Sequence, residues 1–203
     1  CCPFDMHIGF VRNDKVKPVL RNLMGSKSPV RFAKLNQLLS ITSESEWRFA
    51  DRPTMQLKLP YMFISDEPVY LSQVPPFLDY QDAEPLPGTL FGGRFPIDIW
   101  PRPLMWAFEW HNIKKPIRLK RGQPLFYCQF ELDNPERQFQ IFEAEHTPEL
   151  DEYLKKISGA VNYVNQIFGL FKRVAEVRPS QLLVQKQKND EEGRLVYLNQ
   201  FFF

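Results

Sequence analysis

The stretch Leu104-Met105-Trp106-Ala107-Phe108-Glu109-Trp110-His111 decides the fold class of this chain. Successive side chains of a β-strand point to opposite faces. Leu104, Trp106, Phe108 and Trp110 therefore line one face, and Met105, Ala107, Glu109 and His111 the other. Large apolar groups on one side and mixed groups opposite mark a half-buried strand. The aromatic face belongs to the core, which leaves Glu109 and His111 toward solvent.

The flanking sequence repeats the signal. Upstream, Met55, Leu57 and Leu59 alternate with Gln56 and Lys58, and Pro60 breaks or bulges the strand. Phe4, Met6, Ile8 and Phe10 predict a first strand over 4–12, Trp47-Arg48-Phe49 a short one, and Val69-Tyr70-Leu71 another after the turn at Asp66-Glu67-Pro68. Downstream come Ile117 with Leu119, a turn at Arg121-Gly122-Gln123-Pro124, and a buried strand from Leu125 to Leu132; Phe139, Ile141 and Phe142 close the β region. Phe32, Leu35, Leu38 and Leu39 have helical spacing and predict a short helix over 30–40. Between 75 and 103 lie seven prolines, with strand pieces at Leu90-Phe91 and Ile97-Asp98-Ile99-Trp100; a proline-shaped loop of this kind is a common seat for a binding site.

Composition agrees. Among 203 residues, 43 % are hydrophobic and 25 % charged, so most of the chain can bury a core. The 18 Phe, and 18 Pro against 9 Gly, suit short strands joined by shaped loops. The expected fold is mainly β (α+β): an antiparallel β-sandwich or jelly-roll-like single domain, 1–203, with its β-rich core in 1–145.

From Thr147 the period changes. Thr147 suits an N-cap, Pro148 the first helical position, and Glu149, Asp151 and Glu152 complement the helix dipole. Leu150, Ile157, Val164 and Phe171 repeat every seven residues, as do Leu154, Val161, Phe168 and Ala175. This predicts one long amphipathic helix over 147–177, packed on the sheet or, through its 150–175 seam, paired with another copy or a protein partner. Beyond Pro179, Leu182-Leu183-Val184 and Leu195-Val196-Tyr197-Leu198 flank a polar stretch and predict a hairpin or arm over 180–203. Its Phe201-Phe202-Phe203 ending is adhesive when exposed.

The net charge of +2 gives no electrostatic reason to bind nucleic acid or an anionic membrane. The Lys114–Arg121 cluster alternates with apolar residues like the solvated edge of a sheet. No apolar run reaches the length of a membrane span. Cys1, Cys2 and Cys128 make no disulfide framework, so a reducing compartment is expected. The opening Cys1-Cys2-Pro3-Phe4 reads as an incomplete start.

Two constellations could carry chemistry. Glu109 and His111, two apart on a strand, point the same way and could begin a divalent-metal site, completed by Asp98, His7 or His146. Trp100, Trp106 and Trp110 with Arg102 could form an aromatic floor for a sugar, a base or another flat ligand. Cys128 reads as an inert thiol in an apolar strand. Gly88-Thr89-Leu90-Phe91-Gly92-Gly93-Arg94 lacks the Lys-Ser/Thr ending of a phosphate loop and reads as a glycine-shaped turn or bulge. No catalytic residue and no obligatory cofactor emerge.

One order of motifs is familiar: Cys2-Pro3-Phe4-Asp5, Leu57-Lys58-Leu59-Pro60, Leu86-Pro87-Gly88-Thr89-Leu90-Phe91, the Trp-rich strand, and Ile117-Arg118-Leu119-Lys120-Arg121-Gly122-Gln123-Pro124-Leu125. It resembles a family of uncharacterised proteins of tailed phages, notably marine cyanophages, and of some bacteria, over residues 1–145. The resemblance implies a compact β fold and a place in the host cytoplasm or the virion, and it assigns no activity. The function expected first is a non-catalytic binding or assembly module, possibly phage-encoded. Alternatives are a small metal-dependent enzyme with a cupin-like cavity around Glu109 and His111, and a carbohydrate- or nucleotide-binding module on the tryptophans.

Overall fold

The computed structural model of the chain describes residues 1–13, 15–78, 85–134, 136–161, 172 and 174–186. Its elements in order are β1 (Met6–Arg12), β2 (Pro18–Asn22), α1 (Phe32–Leu38), β3 (Leu39–Ile41), β4 (Thr54–Met62), β5 (Val69–Val74), β6 (Gly88–Leu90), β7 (Gly93–Pro96), β8 (Pro103–Trp110), β9 (Ile117–Leu119), β10 (Tyr127–Leu132) and α2 (Pro148–Val161). The fold is mainly β. The strands make three antiparallel sheets, β2-β1-β9, β3-β4-β8-β6 and β10-β5-β7.

The Trp-rich strand β8 is central in its sheet. Its register sets Leu57 against Trp106 and Met55 against Phe108 on one side, and Leu90 against Phe108 on the other. Trp106, Phe108 and Trp110 are fully buried, as the alternation predicts. Trp106 stacks on Phe108 at 4.9 Å, and Phe10 meets Trp110 edge-on at 6.3 Å. Trp110 Nε1 donates to the carbonyls of Asn112 and Lys115 at 2.9 and 3.0 Å, so the buried indole leaves no donor stranded. Each such ring contributes roughly 4–6 kcal/mol of gross burial free energy before conformational entropy is counted. Ile8 and Ile117 from the first sheet and Leu71 from the third join the same core. The register shifts between Lys58 and Met62, as Pro60 predicts.

Gly88 shows why β6 begins with glycine. A Cβ there would lie 1.9 Å from the Glu109 carbonyl oxygen, so only a residue without one lets β6 pair with β8. The Gly88–Arg94 stretch is thus two strand starts and a corner, and β7, not a helix, follows it.

Three sequence expectations need correction. Trp47-Arg48-Phe49 is not a strand: a 3-10 turn at Glu44–Glu46 precedes it, and only a bridge between Phe49 and Arg52 remains. Ser43 and Glu46 cap that turn reciprocally and Trp47 Nε1 donates to the Thr42 carbonyl, local bonds that compete with a ladder. Residues Ile97–Trp100 form a turn, closed by the Trp100 N–H on the Pro96 carbonyl. Phe139, Ile141 and Phe142 lie in an exposed stretch outside the named strands.

Thr147 caps α2 as expected, its Oγ1 accepting the Leu150 N–H at 3.2 Å. Leu150, Tyr153 and Ile157 pack with Val174 and Leu182 in a second, smaller core, with Ile64 at its border. At the far end Val174 is buried and Ala175 exposed, opposite to the heptad assignment. Asp66 ties this unit down: it accepts the backbone N–H groups of Leu182 and Leu183 at 3.0 and 3.1 Å and pairs with Arg178 at 3.0 Å. Gln185 bridges antiparallel to Ala144. Residues 162–171, most of the 150–175 seam, and residues 187–203, with the hairpin's return and Phe201-Phe202-Phe203, lie outside the described residues. Among the described residues no helix is long and apolar enough to cross a membrane.

Candidate functional site

The two constellations separate in three dimensions. The first sits at the end of β8. Glu109, expected on the solvent face, is only 5 % exposed, although it does lie opposite the tryptophan stripe. It is the cross-strand neighbour of Thr54 on β4 and Thr89 on β6. His111 Nε2 lies 3.1 Å from its Oε1, and Arg52 Nη1 lies 3.7 Å from the same oxygen. Sequence reasoning missed Arg52 and Thr89. Arg52 follows Trp47-Arg48-Phe49, which forms no strand, and Thr89 faces the site only through the β6–β8 register.

This geometry limits the chemistry. Thr89 Oγ1 is 3.2 Å from His111 Nε2, the nitrogen already facing Glu109. The Thr89 hydroxyl and the Glu109 carboxylate therefore face the same ring nitrogen, the first by a hydrogen bond and the second by a charge contact. A hydroxyl-histidine-carboxylate relay needs the hydroxyl and the carboxylate on different ring nitrogens. What the cluster does is hold β4, β6 and β8 together across a buried charge.

The three residues named to complete a metal site are engaged elsewhere. His7 lies on β1 and takes a bond from Arg118 Nε at 3.3 Å, and burial followed by the charge of Arg118 lowers its pKa. His146 faces Asp151 at 3.3 Å at the start of α2. Asp98 accepts the backbone N–H groups of Asp98 and Ile99 near Arg178, with its pKa raised by burial. Among the described residues no three His, Cys, Asp or Glu side chains gather as a ligand set. Nor do the depressions at Asn22/Ser28/Arg31 and Thr147/Leu182 include Glu109 or His111, as a cupin-like cavity would.

The aromatic floor is divided. Trp106 and Trp110 are 1 % and 0 % exposed and present no face to a ligand. Trp100 and Arg102 do meet: the guanidinium carbon lies 4.9 Å from the Trp100 ring centre and 5.0 Å from that of Phe95, a residue the sequence reading passed over. Burial lowers the pKa of Arg102 from the ordinary arginine value. The cysteines are unpaired, and burial pushes the Cys2 thiol up to about 11. Cys128 is half-buried on β10 with its pKa also raised by burial, as expected of an inert thiol.

Comparison with known protein families, with curated proteins and with solved structures finds no match to this chain.

Proposed function

We propose that this chain is a non-catalytic assembly module that binds a second copy of itself along β10. One observation carries the reading: a row of exposed apolar residues borders that strand. Phe77 and Leu78, 66 % and 51 % exposed, flank its start, where Phe77 meets Tyr127 edge-on at 5.4 Å. Phe139, Ile141 and Phe142 follow its end, and Phe139 packs on Phe130 at 5.2 Å. β10 is the edge of its sheet, paired with β5 on one side only among the described residues. An uncovered strand edge with apolar neighbours is a template for another strand, and a strand paired antiparallel with its own copy closes a two-fold dimer. The near-neutral net charge selects no oppositely charged partner. In the same reading the three sheets around one core are the layers of a jelly-roll-like sandwich, and a phage origin rests on the order of motifs in residues 2–125.

Sedimentation equilibrium across a concentration series tests this. Self-association that Ile141→Asp abolishes is expected. A monomer at every concentration, or a dimer indifferent to Ile141→Asp, overturns it.

A further inference from the structure

We propose that Arg102, together with Lys58, forms a binding site for a phosphate or carboxylate oxyanion on the face of β4–β8 opposite the tryptophan stripe. The argument begins with how Arg102 is held. Two rings, Trp100 and Phe95, lie within 5.0 Å of its guanidinium carbon, and Nη2 lies 3.7 Å from Met105 Sδ. The two rings hold the guanidinium by cation–π contact, while its five N–H donors seek acceptors. Among the described residues the only acceptor it meets is that thioether sulfur, a weak one.

Five other arginines of the fold have a carboxylate partner. Arg12 pairs with Glu44, Arg52 with Glu109, Arg94 with Glu131, Arg137 with Glu67 and Arg178 with Asp66. Arg102 has no carboxylate among the described residues, although it is only partly exposed. A half-desolvated guanidinium with no counter-charge among the described residues is costly, and a bound oxyanion relieves that cost.

Lys58 supplies a second positive charge from the neighbouring strand. It is the register partner of Met105, so its side chain leaves the sheet on the same face, beside the residue that Arg102 touches. Leu57 and Leu59 turn inward, Lys58 is exposed, and no carboxylate among the described residues pairs with it. Two cations flank one methionine, one fixed and planar, the other mobile. A planar fork beside a point charge suits an oxyanion with two or more oxygens. These residues are not those of the β10 surface, so the site holds or fails independently of self-association.

The test is a titration of the full chain with sodium phosphate, and separately with sodium acetate, at constant ionic strength balanced by chloride. Trp100 touches Arg102, so intrinsic tryptophan emission reports binding, and the melting temperature provides a second readout. A saturable change is expected with one or both oxyanions, and the tighter of the two identifies the ligand chemistry. Arg102→Lys, which keeps the charge but loses the fork, should weaken binding about tenfold, the loss of one charge-assisted hydrogen bond. Lys58→Gln should weaken it several-fold, and as an exposed substitution it carries the test if the Arg102 variants fold poorly. Ile141→Asp should leave binding unchanged. The proposal is overturned if both oxyanions behave like chloride, or if Lys58→Gln and well-folded Arg102→Lys bind as the parent chain does.

Discussion

Removing Arg52 and His111 together should destabilise the fold more than removing the buried carboxylate they serve. The Glu109 side chain is 6 % exposed, while those of Arg52 and His111 are 38 % and 40 % exposed. At 3.7 Å the Arg52–Glu109 attraction is roughly 4–5 kcal/mol for an effective dielectric near 20. Water around the exposed guanidinium screens most of this, so Arg52→Ala should cost about 1–2 kcal/mol, and His111→Ala about the same through the lost contact with the buried carboxylate. The double variant leaves a buried carboxylate short of partners and should cost about 3–4 kcal/mol. Glu109→Leu removes the buried charge and lets Arg52 and His111 turn to water, so its cost should stay within about 1 kcal/mol. Urea unfolding with a common m-value measures all four. The reasoning is refuted if Glu109→Leu costs as much as the double variant, or if the double variant is as stable as the parent. Dialysis against a chelator should leave the midpoint unchanged. A drop in the parent chain that is absent from His111→Ala would instead favour a metal centre at this pair.

Two further outcomes follow from the geometry. Gly88→Ala places a methyl group against the Glu109 carbonyl and the Phe108 ring, so β6 must move off β8; a loss of about 2–3 kcal/mol, or roughly 5–10 °C in melting temperature, is expected by thermal unfolding. A parent-like melting temperature would refute the close approach. Burial raises the pKa of Asp98 in the fold, and a raised carboxyl favours folding when protonated and disfavours it once pH rises through the folded value. Asp98→Asn, which keeps an acceptor for the backbone N–H groups, should therefore be more stable than the parent near neutral pH. The difference should vanish below about pH 4, the ordinary aspartate range. A variant less stable at neutral pH would show that the carboxylate's hydrogen bonds and the charge of Arg178 outweigh its burial.

The fold was legible where the signal was local. The alternation from Leu104 to Trp110 identified β8 and its buried face, Pro60 marked the register shift in β4, and Thr147 marked the start of α2. Trp47-Arg48-Phe49 misled because bonds from Ser43, Glu46 and Trp47 satisfy that backbone locally, an alternative that strand propensity does not weigh. The candidate site was only half legible. Glu109 near the end of β8 and His111 just beyond it are two residues apart, so their pairing could be read from spacing alone. Trp106 and Trp110 were correctly placed on the core face, and that burial withdraws them from any ligand surface.

Periodicity is a property of neighbouring residues, and it settled which side chains enter the core, where the strands run and where a helix begins. The burial of Glu109, the cation that meets it and the rings that meet Arg102 depend on sheet register and on chain returning from distant positions. Arg52 reaches Glu109 because Thr54 pairs with it across β4–β8; Thr89 reaches His111 because Gly88 lets β6 approach; Lys58 shares a face with Met105, which Arg102 touches, because the two are register partners. A shift of one residue in either ladder would turn those side chains to the opposite face, so tertiary pairing alone decides which charges meet.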